Sequence, residues 1–199
     1  MKPLRNLAFA VAAAALAGCS LSSLTGGGGK PPVVLQTLTP EAPDPGAMTR
    51  SAAAGQAVTI ETPVISNELR TIRVPVQVSP TDIQYVTNLQ WADTPDKLFQ
   101  NLVEETVRRT TNRVVLNPNQ TGVDPGVVLR GELSRFGYNA QTGQVEVTYD
   151  ATMSNAAGVV QTRRFVATGP ADGTGASVGP ALNRAANQVA QQVAQWIGG

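Results

Sequence analysis

Side chains able to do covalent or acid–base chemistry are few in this chain. Cys19 is the only thiol among 199 residues, and histidine is absent. Without imidazole there is no Ser-His-Asp triad, no His-ligated zinc and no His general base. A lone Cys builds neither a disulfide framework nor a thiolate metal site. Carboxylates remain: Glu104 with Glu105, and Glu146 with Asp150, pairs that would have to face each other across a cleft to act as acid and base. Each pair is better explained by a solvated helix or strand face. Gly26-Gly27-Gly28-Gly29-Lys30 invites a phosphate-loop reading, but that pattern needs Gly where Leu24 stands and Ser or Thr where Pro31 stands. It is a linker. An enzymatic role would rest on carboxylates alone, so a binding or structural role comes first.

The one informative thiol sits at the end of a leader. Lys2 and Arg5 give a positive start, Leu7 to Leu16 is uncharged and apolar, and small residues precede Cys19. This is the layout of a secretory signal peptide, and an apolar run of about ten residues falls short of the roughly 20 a bilayer span needs. Leu16-Ala17-Gly18-Cys19 resembles the bacterial lipobox. The resemblance implies diacylglycerol on the Cys19 sulfur, cleavage between Gly18 and Cys19, and acylation, palmitate being typical, of the new amino group. No cofactor is expected beyond this covalent lipid, and no metal.

Removing residues 1–18 from the 199 leaves 181, enough for a tether and one domain. Lys2 and Arg5 leave with the leader, so 13 basic residues face 14 acidic ones. No basic tract exists, and a nucleic-acid partner therefore has no electrostatic footprint. Residues 19–32 read as the lipidated Cys and a Ser/Gly/Pro-rich tether that extends at most about 45 Å and averages about 20 Å as a coil. Residues 33–199 read as a single domain.

Val33 to Leu38 is a short apolar run and a first strand, followed by a long Pro- and Gly-punctuated loop from Pro40 to Gly55. Ala57 to Glu61 and Thr71 to Val78 alternate with period two and predict strands. Pro75 makes the second an edge or bulged strand. Asn67 to Arg70 suggests one helical turn, and Asp82 to Val86 a short strand. Thr94-Pro95-Asp96 is a helix start, with Thr at the N-cap and Pro at the first helical position. Leu98, Phe99, Leu102, Val103, Thr106 and Val107 then recur at helical spacing over 95–111. Glu104 with Arg108 and Glu105 with Arg109 fall four residues apart on the wet side.

After a short strand at Arg113 to Leu116, three longer ones follow: Val127 to Phe136, Gln144 to Met153 and Val159 to Thr168. The middle one puts Val145, Val147, Tyr149, Ala151 and Met153 on one face and Glu146, Thr148, Asp150 and Thr152 on the other. One wet and one dry face is the mark of antiparallel sheet, and the dry face needs a cover. The last segment supplies it: from Ser177 onward, Val178, Leu182, Ala185, Ala186, Val189, Val193, Trp196 and Ile197 keep a helical period. Opposite them stand Asn183, Asn187, Gln188, Gln191, Gln192 and Gln195, with Arg184 the sole charge. This face admits two readings: compositional drift in an Ala/Gln-rich helix, or a surface buried against another subunit, since amides cost less to desolvate than charges. Trp91 and Trp196 are open in the same way, as partner anchors or as caps on the core. Arg163 and Arg164 point to opposite faces of their strand. The expected fold is α+β: a mainly antiparallel sheet, with one parallel pairing near the N-terminus left open, and two amphipathic helices on one face.

This organisation resembles the ABC-type transport auxiliary lipoproteins, the PqiC/YmbA-like family. The matching pieces are Leu16 to Cys19, Val33 to Thr39, Trp91-Ala92 ahead of Pro95 and Leu98, the Phe165 strand, and Val178 to Asn183 running on to Trp196-Ile197. Departures are Leu89-Gln90-Trp91, where the family commonly has Arg before Trp, and the long Ala/Pro-rich loop from Pro40 to Gly55. The resemblance implies a periplasmic, non-catalytic domain anchored to the outer membrane. It would work with an inner-membrane ABC permease and ATPase and a periplasmic protein bearing a mammalian-cell-entry (MCE) domain, in moving lipid or solvent molecules between the membranes. Ser20, rather than Asp, after Cys19 is similar to the outer-membrane sorting rule. A ring of identical subunits is left open. The alternative is a lipid carrier that holds an acyl chain between the sheet and its helices.

Overall fold

The computed structural model describes residues 35–119 and 124–198. The expected signal peptide, its expected cleavage site at Gly18 and Cys19, the expected tether and the start of the first predicted strand lie outside the described residues. Twelve elements follow in order: β1 (Leu35–Gln36), β2 (Val58–Ile60), β3 (Val64–Ile65), a 3-10 turn (Asn67–Leu69), β4 (Arg73–Gln77), β5 (Ile83–Trp91), α1 (Pro95–Thr110), β6 (Val115–Leu116), β7 (Val127–Asn139), β8 (Gln144–Ser154), β9 (Val160–Pro170) and α2 (Gly175–Gly198). One mixed sheet of nine strands carries both helices.

The α+β class stands, but the sheet is not mainly antiparallel. Among the described residues five of the eight strand pairings are parallel: β1 with β5, β2 with β6, and β2, β3 and β4 each with β7. The two long ladders, β7 with β8 and β8 with β9, are antiparallel as their alternation predicts. The parallel pairings have a simple cause. The chain between β2 and β4 advances along one edge of β7 without turning back, so Val58 pairs with Val127, Val64 with Glu132 and Val76 with Tyr138. Three short strands in series thus match one long one.

Two strands depart from the sequence expectation. β3 is too short to show a period. β5 runs past its expected end at Val86 to Trp91; its alternation breaks at Asn88, which adopts φ 57, and this hides the continuation from a period-two reading. The β4–β5 register shifts there, Arg73 facing Gln90 while Pro75 faces Tyr85. Pro75 is bulged as expected but lies inside the sheet, between β5 and β7. Ser134 is a second bulge, since Leu133 faces Tyr149 and Arg135 faces Thr148.

The dry face is as read: Val145, Val147, Tyr149 and Ala151 are buried, with Leu129, Leu133 and Phe136 beside them and Phe165 from β9. Both helices cover it. α1 buries Leu98, Phe99, Leu102, Val103, Thr106 and Val107, and the Phe99 ring meets Tyr149 edge-on at 5.1 Å. Thr94 sits at the N-cap with extended backbone, yet its side chain makes no capping bond. Instead the Asp93 carboxylate accepts from the Thr94 N–H at 2.7 Å, which together with Lys97 holds its pKa below the usual range. Gly131 faces this layer because Tyr149 lies across it; an added Cβ would stand 2.7 Å from the ring.

α1 and α2 run parallel to each other. At one end Gln36 accepts the Ala92 N–H at 2.7 Å, close to the start of α1, and its side chain lies against Gly179 near the start of α2. At the other end Gly198 lies against Thr111.

Candidate functional site

The residues expected to meet a partner divide into three environments. Trp91 is a correction: it is 1% exposed, its ring 5.7 Å from Phe136, and no partner can reach it in this fold. The reason is the β5 bulge, which turns Trp91 onto the covered face alongside Leu89. Trp196 is half-buried and packs on Phe165 at 5.6 Å, and the Arg163 guanidinium lies over the same Phe165 ring at 5.0 Å. Arg163 is therefore the member of the Arg pair on the covered side, yet its charge stays in solvent at the margin of α2. Arg164 is on the open face, where it grips Asp150 at 2.6 and 3.0 Å.

Gln188, Gln191 and Gln195 are exposed and Gln192 is half-buried. With Arg184 they form one stripe along α2 that points away from the sheet. The two asparagines of that amide-rich face do something else. Asn187 is 1% exposed. Its Oδ1 accepts the Glu41 N–H at 2.8 Å, and its Nδ2 donates to the Thr39 carbonyl at 2.9 Å. Asn183 Oδ1 accepts the Thr39 N–H at 2.8 Å. The segment after β1 is thus held against α2 as a strand would be, by side-chain amides in place of a backbone ladder. Neither reading of the asparagines anticipates this, because their partners lie more than 140 residues away.

From Ala42 the chain crosses to the end of α1, where Arg109 donates to the Ala42 carbonyl at 2.9 Å. The loop that follows hangs over the C-terminal ends of both helices. Between loop and helices lies an open groove of about 1150 Å³, walled by Arg50, Ala53, Arg109, Thr111, Arg113 and Gln195 among others. Of this set only Gln195 is an expected partner contact from sequence.

The carboxylates considered for catalysis are engaged elsewhere. Glu104 receives Arg108 at 2.9 Å and Glu105 receives Arg109 at 2.7 Å. Asp150 is held by Arg164 and Ser134, and this keeps its pKa below the usual carboxylate range. A general acid needs the opposite shift. Glu146 accepts from the Thr148 hydroxyl at 2.9 Å. Among the described residues no cluster of three metal-ligating side chains occurs, and no helix is long and apolar enough to cross a membrane.

A family model described as ABC-type transport auxiliary lipoprotein component matches residues 37–194. Among solved structures, a Xanthomonas campestris protein of the DUF330 family is similar at a TM-score of 0.67 and 16% identity, over 83% of this chain and 95% of that one. An uncharacterized protein is similar at a TM-score of 0.58 and 15% identity, over 75% of this chain and 94% of that one. At such identities these two likenesses speak to the fold. No curated protein matches the chain.

Proposed function

The chain belongs to the ABC-type transport auxiliary lipoprotein components, and from that premise we propose that it is a non-catalytic adaptor anchored to the periplasmic face of the outer membrane. In this reading residues 1–18 are a signal peptide, Cys19 carries the lipid, residues 19–32 are the tether and the domain docks a periplasmic MCE-domain assembly served by an inner-membrane permease and ATPase. ATP hydrolysis belongs to those partners. A single acyl chain holds a protein only reversibly, at about 0.8 kcal/mol per buried methylene, whereas two or more make release negligible. A permanent anchor lets the protein–protein contact stay weak.

The observation that carries this reading is that the domain's own side chains fill the space between the sheet and its helices. The dry face of β7, β8 and β9 is closed by α1 and α2, with Val145, Val147, Val178, Leu182, Val189 and Val193 at 0% exposure. What the protein offers is therefore its exterior, beginning with the glutamine stripe of α2. An acyl carrier would need room between sheet and helices, and the side chains fill it.

Cys19→Ala tests the anchor. The variant should fold and remain in the periplasm as a soluble domain while outer-membrane integrity, read as sensitivity to detergent and bile salts, fails as in a deletion strain. Full protection by the soluble variant would refute the adaptor reading.

A further inference from the structure

We propose that the groove over the C-terminal ends of α1 and α2 is a docking site for an acidic, extended segment of a partner protein. This deepens the adaptor reading by assigning the docking end of the domain and the chemistry it recognises.

Charge is the first argument. Arg50, Arg109 and Arg113 line the groove, and among the described residues no Asp or Glu does. Arg109 is neutralised by Glu105 at 2.7 Å. Among the described residues neither Arg50 nor Arg113 has a carboxylate in ion-pair range. Among the described residues Arg108, Arg130 and Arg164 pair with Glu104, Glu61 and Asp150, whereas Arg70, Arg73, Arg135, Arg163 and Arg184, like Arg50 and Arg113, make no ion pair. What sets Arg50 and Arg113 apart is that they line one space whose described walls carry no carboxylate, so an anion bound there meets uncompensated positive charge.

A purely structural role for them is incomplete. Arg50 donates to the Arg113 carbonyl at 3.3 Å and to the Met48 sulfur at 3.2 Å. Arg113 donates through Nη1 to the backbone and side chain of Gln56, both at 3.3 Å. The bonds to oxygen are long for charged donors, and a thioether sulfur is a weak acceptor. A guanidinium has five N–H groups, so each keeps donors that these contacts do not use.

Shape selects among anions. A space of about 1150 Å³ far exceeds one phosphate or one lipid headgroup, and Ala52, Ala53, Val114 and Ala194 give it apolar walls on which a peptide's methylenes can lie.

The test is fluorescence anisotropy of fluorescein-labelled decaglutamate added to the full-length lipoprotein in neutral detergent micelles. Saturable binding should weaken steeply from low to physiological salt. The pair Arg50→Gln and Arg113→Gln should weaken it by roughly tenfold or more, as loss of two charge-assisted contacts requires. Arg70→Gln, beside the 3-10 turn and outside the groove, should leave binding within about twofold. Because Arg50 and Arg113 also tie the loop down, Ala53→Glu supplies an independent arm: it keeps every guanidinium and places a competing carboxylate in the groove, so it too should weaken binding. Absence of saturable binding, or equal loss in Arg70→Gln, overturns the proposal. So does displacement of the peptide by equimolar phosphatidylglycerol doped into the micelles or by inorganic phosphate. All of this is read on isolated protein, so its failure would leave the Cys19→Ala result standing, and the reverse.

Discussion

Replacing Asn187 by Ala removes one side chain and releases a whole segment. Asn187 bridges the Thr39 carbonyl and the Glu41 N–H, its two bonds across to the segment at 2.9 and 2.8 Å. A typical intramolecular hydrogen bond contributes about 1 kcal/mol net, and a buried group left unpaired costs about 1–3 kcal/mol. Thr39 and Glu41 are themselves exposed, so water takes over part of what the amide gave, and the low end applies to each. Ala also exceeds Asn in helix propensity by up to about 0.7 kcal/mol, which offsets part of the loss. The balance is about 1–2 kcal/mol, or a fall in Tm of roughly 2–8 °C for a domain this size. Local consequences should be larger than the global one. Amide exchange at Glu41, whose N–H loses its acceptor, should accelerate by at least about tenfold, that at Thr39, still bonded to Asn183, by less, and protease should cut sooner in the loop that begins at Pro43. Asn187→Asp separates the two roles, since it keeps an acceptor for Glu41 and loses the donor to Thr39. Unchanged exchange at both amides in Asn187→Ala, with unchanged Tm, would show that the amides do not hold this segment and would refute the reasoning.

Two further outcomes follow from side chains already placed. Gly131→Ala puts a methyl 2.7 Å from the Tyr149 ring and closer still to the Asp150 carbonyl; overpacking of this kind should cost about 1–3 kcal/mol in a denaturant titration, and an unaltered midpoint would mean that Tyr149 moves aside freely. Asp150 has a depressed folded-state pKa, chiefly through Arg164, so its contribution is present above the ordinary Asp value of about 3.9 and is lost as pH falls through the folded value. Asp150→Asn should therefore be less stable than wild type at pH 7 and converge with it in strong acid, as followed by thermal melts across pH.

Much of the fold is legible in the sequence because it is periodic. Both helices and the β7–β8–β9 meander announce themselves through apolar residues at spacings of 3.6 and two, and the structure returns them within a few residues. Strand direction is different. Periodicity reports which face a residue occupies and says nothing of whether its neighbour runs parallel, so the serial pairing of β2, β3 and β4 along β7 was out of reach. The bulge at Asn88 erased the alternation that would have revealed all of β5, and with it the burial of Trp91. At the candidate site, the glutamine stripe could be read from α2 alone. The cationic groove could not, because Arg50, Arg109 and Arg113 come from a loop, a helix and the turn beyond it, and only the fold brings them together. The asparagine clamp is hidden for the same reason: Asn183 and Asn187 look like two more solvated amides until residues 39–41 are laid against them.

The serial matching of β2, β3 and β4 to β7 also sets an order of events. A ribosome or translocon delivers the chain from its N-terminus, and Val58 must wait until Val127 has emerged before its hydrogen-bonding partner exists. The hairpins of β7, β8 and β9 close locally, over turns of a few residues, and contacts of short sequence separation form soonest. The C-terminal half is thus the template and the N-terminal half the late arrival, left meanwhile with Val58, Ile60 and Val74 uncovered. A protein born this way depends on whatever shields those residues in the interval.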